Sequence, residues 1–103
     1  MSRFKTGRLV ITPGINAYLK ERGLPHMFLI RYVIRHVNGD WGELCAEDYE
    51  ANEQALADGS RILSKYRLPS DHESGGRAIY VITEAEDDDG ERRYTTILFP
   101  EEY

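Results

Sequence analysis

The hydrophobic period of this chain changes near Ser60, and that change decides which part can be helical and which must be sheet. Beyond it the side chains alternate. Ile62, Ser64, Tyr66 and Leu68 alternate with Leu63, Lys65 and Arg67; Ala78, Tyr80 and Ile82 with Ile79, Val81 and Thr83; Tyr94, Thr96 and Leu98 with Thr95, Ile97 and Phe99. A period of two over such runs predicts three strands. The connections, residues 69–76 and 84–93, are short, and Asp89-Gly90 is a good turn pair, so neighbouring strands are expected to run antiparallel.

Before Ser60 the spacing is helical. A short β-rich run, Arg8-Leu9-Val10-Ile11, leads into Thr12-Pro13, a helix N-cap followed by a proline suited to the first turn. Ile15, Tyr18 and Leu19 then share a face and Gly23 is a stop signal, predicting a helix over 13–22. Pro25 reopens the chain, and a second helix is expected over 27–37, ended by Asn38-Gly39. On it Phe28, Leu29, Tyr32, Val33 and His36 share one face, while Ile30, Ile34 and Val37 lie off it. A third helix is expected over 46–58, with few apolar positions (Tyr49, Ala51, Ala55, Leu56) and a stop at Gly59; it reads as a surface helix. The predicted order is β-α-α-α-β-β-β. That is an α+β fold with the helices packed on one face of an antiparallel sheet. With 103 residues and no internal linker, residues 1–103 are expected to form a single domain.

Cys45 is the only cysteine, which excludes an intramolecular disulfide and reads as an ordinary half-buried thiol. The longest mostly apolar run, residues 27–37, is interrupted by Arg31 and Arg35, so no membrane insertion is expected, and the start of the chain carries no export pattern. A cytoplasmic location is the expectation.

The net charge of −5 is unevenly distributed: residues 1–37 carry seven bases against one acid, residues 38–59 seven acids and no base, and residues 78–103 a net −6. Such blocks either attract one another within the fold or polarise the surface for a charged partner.

For chemistry, the most distinctive segment is His36-Val37-Asn38-Gly39-Asp40-Trp41-Gly42. His36 and Asp40 across a turn could serve as a general base and its orienting carboxylate, with Trp41 beside them. The same residues also read as a shaped helix connection in which Asp40 caps a turn and Trp41 fills the core. No serine elbow is present, the histidines His26, His36 and His72 are too dispersed for a local metal pair, and no phosphate-binding glycine loop precedes a helix. Hence no metal and no cofactor is expected. The basic residues Arg3, Lys5, Arg8, Arg31, Arg35, Arg61, Lys65 and Arg67 are scattered along an acidic chain, and direct nucleic-acid binding is not expected. The acids are more concentrated. Glu84, Glu86, Asp87, Asp88, Asp89 and Glu91 crowd one hairpin tip, with Glu47 and Glu50 on the third helix. They read either as solvation and edge protection or as a surface for a basic partner.

Several segments together resemble a family of short bacterial proteins common on plasmids and in phage-like regions. They are Gly7-Arg8 with Thr12-Pro13-Gly14, Arg35-His36-Val37 with Gly39-Asp40-Trp41-Gly42, Glu47-Asp48, Asn52, Ala55-Leu56, Ile82-Thr83-Glu84-Ala85, Thr95-Thr96-Ile97-Leu98 and Pro100-Glu101-Glu102-Tyr103. Members are sometimes labelled as a restriction methylase subunit, but the glycine-rich cofactor turn and the Asn/Asp-Pro-Pro-aromatic pocket of a methylase are missing here. This chain also differs from the family pattern by an acidic insertion, residues 86–91.

The expectation is a non-enzymatic accessory protein of mobile elements that binds another protein. The resemblance makes inhibition of a host defence nuclease system, of anti-CRISPR or anti-restriction type, the specific case. Candidate partner-binding residues are Asp87, Asp88, Asp89, Glu86, Glu47, Glu50, Ile30 and Ile34, and an unabsorbed patch at Ile30, Ile34 and Val37 would favour a homodimer. The alternative is a small enzyme or nucleotide-handling protein centred on His36, Asp40 and Trp41.

Overall fold

The computed structural model describes residues 2–70 and 76–103; the polar loop Asp71-His72-Glu73 and Gly75 lie outside the described residues. The elements are β1 (Arg8–Ile11), α1 (Pro13–Glu21), a 3-10 turn (His26–Leu29), α2 (Ile30–Val37), α3 (Ala46–Asp58), β2 (Ile62–Arg67), β3 (Ala78–Thr83), β4 (Tyr94–Leu98) and a second 3-10 turn (Pro100–Glu102). The fold is α+β, three helices with a four-stranded sheet of order β1-β4-β3-β2.

Local chemistry accounts for most boundaries. Thr12 caps α1, its Oγ1 accepting from the Ile15 amide at 3.4 Å, and Pro13 occupies the first turn where its missing donor costs nothing. α3 spans the predicted residues and stops at Gly59. The second helix differs: residues 26–29 form a 3-10 turn before α2 begins, because the Phe28 amide closes a three-residue ring onto the Pro25 carbonyl at 3.0 Å. Cys45, at the N-cap of α3, is exposed rather than half-buried.

The sheet is mixed rather than wholly antiparallel. β2–β3 and β3–β4 are antiparallel as expected, but β1 pairs with β4 in parallel, Arg8 opposite Tyr94 and Ile11 opposite Ile97. A parallel partner needs a long crossover, and in this chain the helices and the remaining strands lie between the two.

Two clusters form the core. The larger joins Ile15, Tyr18 and Leu19 of α1 and Tyr32 and Val33 of α2 to Tyr66, Ile79, Val81, Ile97 and Phe99. The smaller joins Trp41, Ala55 of α3 and Ile62, with Phe4, Leu44 and Leu56 against it. The side chains of opposite parity, Leu63, Lys65, Tyr80, Ile82, Thr96 and Leu98, belong to neither cluster. At the β2 edge residues 41–43 make a short extra pairing: the Lys65 amide donates to the Trp41 carbonyl at 3.0 Å and the Glu43 amide to the Lys65 carbonyl at 2.8 Å. Gly42 sits between them at φ +78°, where a Cβ would run into the Lys65 carbonyl.

Candidate functional site

α2 presents His36 to the sheet, and the imidazole is wholly buried. Its Nδ1 lies 2.6 Å from Ser64 Oγ on β2 and its Nε2 lies 2.8 Å from Thr83 Oγ1 on β3. The chain of contacts continues. Thr83 Oγ1 is 2.6 Å from Thr95 Oγ1 on β4, and the Thr95 hydroxyl donates to the Thr6 carbonyl at 2.8 Å. Counting hydrogens fixes the directions from Thr6 back to the imidazole, since each hydroxyl has one to give. Thr95 spends its hydrogen on Thr6, so Thr83 donates to Thr95 and His36 Nε2–H donates to Thr83. Nε2 therefore carries a hydrogen, and Nδ1 accepts from the Ser64 hydroxyl in the neutral ring. Burial first, and then the nearby Arg92 guanidinium, push its pKa from the ordinary 6.5 down to about 3.

Asp40 turns away from His36. Its Oδ2 accepts from Arg35 Nε at 2.7 Å and its Oδ1 from the Gly42 amide at 3.3 Å, and the Arg35 bond holds the carboxyl below the usual carboxylate range. The Tyr66 hydroxyl fixes the same turn by donating to the Asp40 carbonyl at 2.6 Å. Trp41 is fully buried, and its indole N–H donates to Glu53 Oε2 on α3 at 2.8 Å. Arg3 grips the same carboxylate with both terminal nitrogens, at 3.2 and 3.0 Å. The structure thus brings His36 and Trp41 together, ring centroids 6.0 Å apart, and gives Asp40 other partners.

Two participants carry no mark in the sequence. Phe4 packs its ring edge-on against His36 at 5.1 Å and lies 6.1 Å from Trp41, so the N-terminal segment covers the imidazole. Arg92 donates to the backbone carbonyls of Ser60 at 2.7 Å, Glu84 at 3.0 Å and Ala55 at 3.1 Å, tying the end of α3 to the last hairpin. The Ser64, Thr83 and Thr95 chain did carry a signal: all three stand at the buried parity of their strands, where a hydroxyl requires a partner.

A groove of about 1000 Å³ is lined by Tyr18, Arg22, Phe28, Leu68 and Arg77, and by none of the residues singled out above. Among the described residues no group of three or more His, Cys, Asp or Glu is placed to hold a metal ion, and no helix is long and apolar enough to cross a membrane.

The surface candidates divide. Ile30 and Ile34 are 38% and 52% exposed, one turn apart on α2, and Met27 extends their line at 71%. Val37 packs against the larger cluster. At the hairpin, Asp87 folds inward: its Oδ1 accepts from the amides of Asp89 at 2.9 Å and Glu91 at 3.0 Å, and its Oδ2 pairs with Arg93. The Glu91 amide, followed by the Asp89 amide and Arg93, holds the Asp87 carboxyl below its ordinary range. Asp88, Asp89, Glu86, Glu47 and Glu50 are exposed. The Glu86 amide donates to the Gly59 carbonyl at 2.8 Å, which anchors the hairpin to the end of α3.

Comparison with protein families, curated proteins and solved structures gives no match.

Proposed function

We propose that this chain is a non-enzymatic accessory protein that acts by binding another protein, and that Met27, Ile30 and Ile34 form the centre of its docking surface. The observation that carries the reading is their exposure: three large apolar side chains in line on α2 and the preceding turn, while the opposite side of the helix is buried. An apolar line of this kind, rimmed by Arg31 and Arg35, has the make-up of an interface core with a polar rim. The exposed acids Asp88, Asp89, Glu47 and Glu50 would steer a basic partner toward the protein before the apolar contact forms. The resemblance to proteins of mobile elements makes a host defence nuclease system the specific target class, with inhibition as the outcome.

The test is a comparison of the wild type with the double variant Ile30→Asp, Ile34→Asp as baits in lysate of the native host. Both positions are solvent-facing, so the double variant should melt within a few degrees of the wild type. A co-purifying protein held by the wild type and lost from the variant supports the reading. Equal capture by both contradicts it. A second copy of the chain as the occupant is read separately, by light scattering at twice the mass of the monomer.

A further inference from the structure

We infer that the sheet face occupied by neither core cluster is a platform for single-stranded nucleic acid. Register lays this face out as a grid. Arg8, Tyr94 and Glu84 lie across one end, Val10, Thr96, Ile82 and Leu63 across the middle, and Leu98, Tyr80 and Lys65 beyond them. Tyr103 stands edge-on to Tyr80 at 5.9 Å, and the Arg61 guanidinium lies 5.4 Å from the Tyr103 ring centre.

Charge selects the occupant. Arg3, Arg35, Arg67, Arg77 and Arg93 are all in ion pairs. Among the described residues eight cations are in no ion pair with a carboxylate; Lys5, Lys20, Arg22, Arg31 and Arg92 lie elsewhere, and the other three, Arg8, Arg61 and Lys65, belong to this face or its margin. Glu84, half-buried, is the acid at its end. An acidic protein thus groups three cations free of carboxylates on one sheet face, while many of its acids gather on α3 and the hairpin tip. Strand pairing brings Arg8, Arg61 and Lys65, far apart in the sequence, onto the same face or its margin.

The aromatics decide between anions. Tyr94 and Tyr103 are 43% and 63% exposed and Tyr80 is half-buried, while Ile82 and Leu98 of the same face are buried, so the rings and cations around them are what the face offers. A basic face that also offers rings to stack on suits unpaired bases on a phosphate backbone better than an acidic polypeptide, which needs the cations alone. A duplex hides its bases and gains nothing from the tyrosines.

The experiment is fluorescence anisotropy of the full chain with labelled 15-nucleotide single-stranded RNA, single-stranded DNA and the matching duplex, across a salt series. Single strands of either sugar should bind more tightly than duplex; a preference for RNA assigns a contact to the 2′-hydroxyl, and equality assigns the face to base and phosphate alone. Tyr94→Ala should weaken single-strand binding about ten-fold. The triple variant Arg8→Ala, Arg61→Ala, Lys65→Ala should flatten the log-log salt slope by about 2, three phosphate contacts on a single strand. The control, Lys5→Ala with Lys20→Ala, removes cations elsewhere and should leave binding unchanged. Circular dichroism confirms that each variant is folded. The inference is overturned by absence of binding at low salt, by a control that weakens binding as much as the triple variant, or by duplex binding that Tyr94→Ala does not affect. Displacement of the oligonucleotide by poly-glutamate at equal charge concentration would also overturn it, in favour of an acidic polypeptide.

Discussion

His36 donates its Nε2–H to Thr83 Oγ1 across 2.8 Å with both side chains fully buried. This bond links α2 to the middle of the sheet and makes folding sensitive to acid. The folded-state pKa lies near 3 against an ordinary 6.5, so between those values the unfolded chain binds a proton that the folded chain does not. Stability from this group is complete above pH 6.5 and falls by about 1.4 kcal/mol per pH unit below it. Chemical denaturation from pH 7 to 5 should show that slope, and His36→Leu should remove it. The same substitution leaves the Ser64 hydroxyl without its acceptor on Nδ1 and Thr83 Oγ1 without its donor, and should cost about 2–4 kcal/mol at pH 7. Nitrogen chemical shifts of the wild-type imidazole should report Nε2–H from pH 7 to 5; an imidazolium at pH 5 would refute the assignment.

Trp41 depends on Glu53 for its only acceptor. Glu53→Ala leaves a buried indole N–H unpaired and should destabilise by about 1–3 kcal/mol, whereas Trp41→Phe with Glu53→Ala should cost less than the two single losses added. Urea denaturation of the three variants checks the coupling.

Gly42 and Gly23 share a left-handed backbone but not their surroundings. Gly23→Ala meets nothing within 4 Å and should cost about 1–2 kcal/mol, the strain of the conformation alone. Gly42→Ala drives a methyl into the Lys65 carbonyl and should cost distinctly more, with faster amide exchange at Lys65 and Glu43. Equal melting temperatures for the two variants would refute the role given to residues 41–43.

The acidic tip should separate into a structural carboxylate and exposed ones. Asp87→Ala should speed amide exchange at Asp89 and Glu91, whose amides it accepts. Asp88→Asn with Asp89→Asn should leave those amides protected and the melting temperature unchanged. If the tip steers a basic partner, that double variant should also lower the association rate at low salt and not at high salt, because exposed charges are screened over about 8 Å at physiological ionic strength.

Much of the fold was legible because its cues are local. Thr12-Pro13 set the start of α1, Gly59 the end of α3, and strict alternation set β2, β3 and β4. The parallel pairing of β1 with β4 was not legible, since nothing near Arg8 names a partner as distant as Tyr94. The same limit applies to the site. His36 and Trp41 stood out as residue types, but the turn of Asp40 toward Arg35, and the arrival of Phe4 and Arg92, are tertiary events. Ile30 and Ile34 were legible as off-face residues, and Val37, grouped with them in the sequence, is drawn into the core.

The docking surface on α2 is tested most directly by site-specific photo-crosslinking in the native host. A photoreactive phenylalanine analogue is placed at Ile34, and separately at exposed Tyr49 on α3 as the comparison position. The account predicts one discrete protein adduct from position 34, lost when Ile30→Asp is added, and little or none from position 49. An adduct at twice the chain mass would identify a second copy as the partner. No protein adduct from position 34, or the same adducts from both positions, would contradict the central claim.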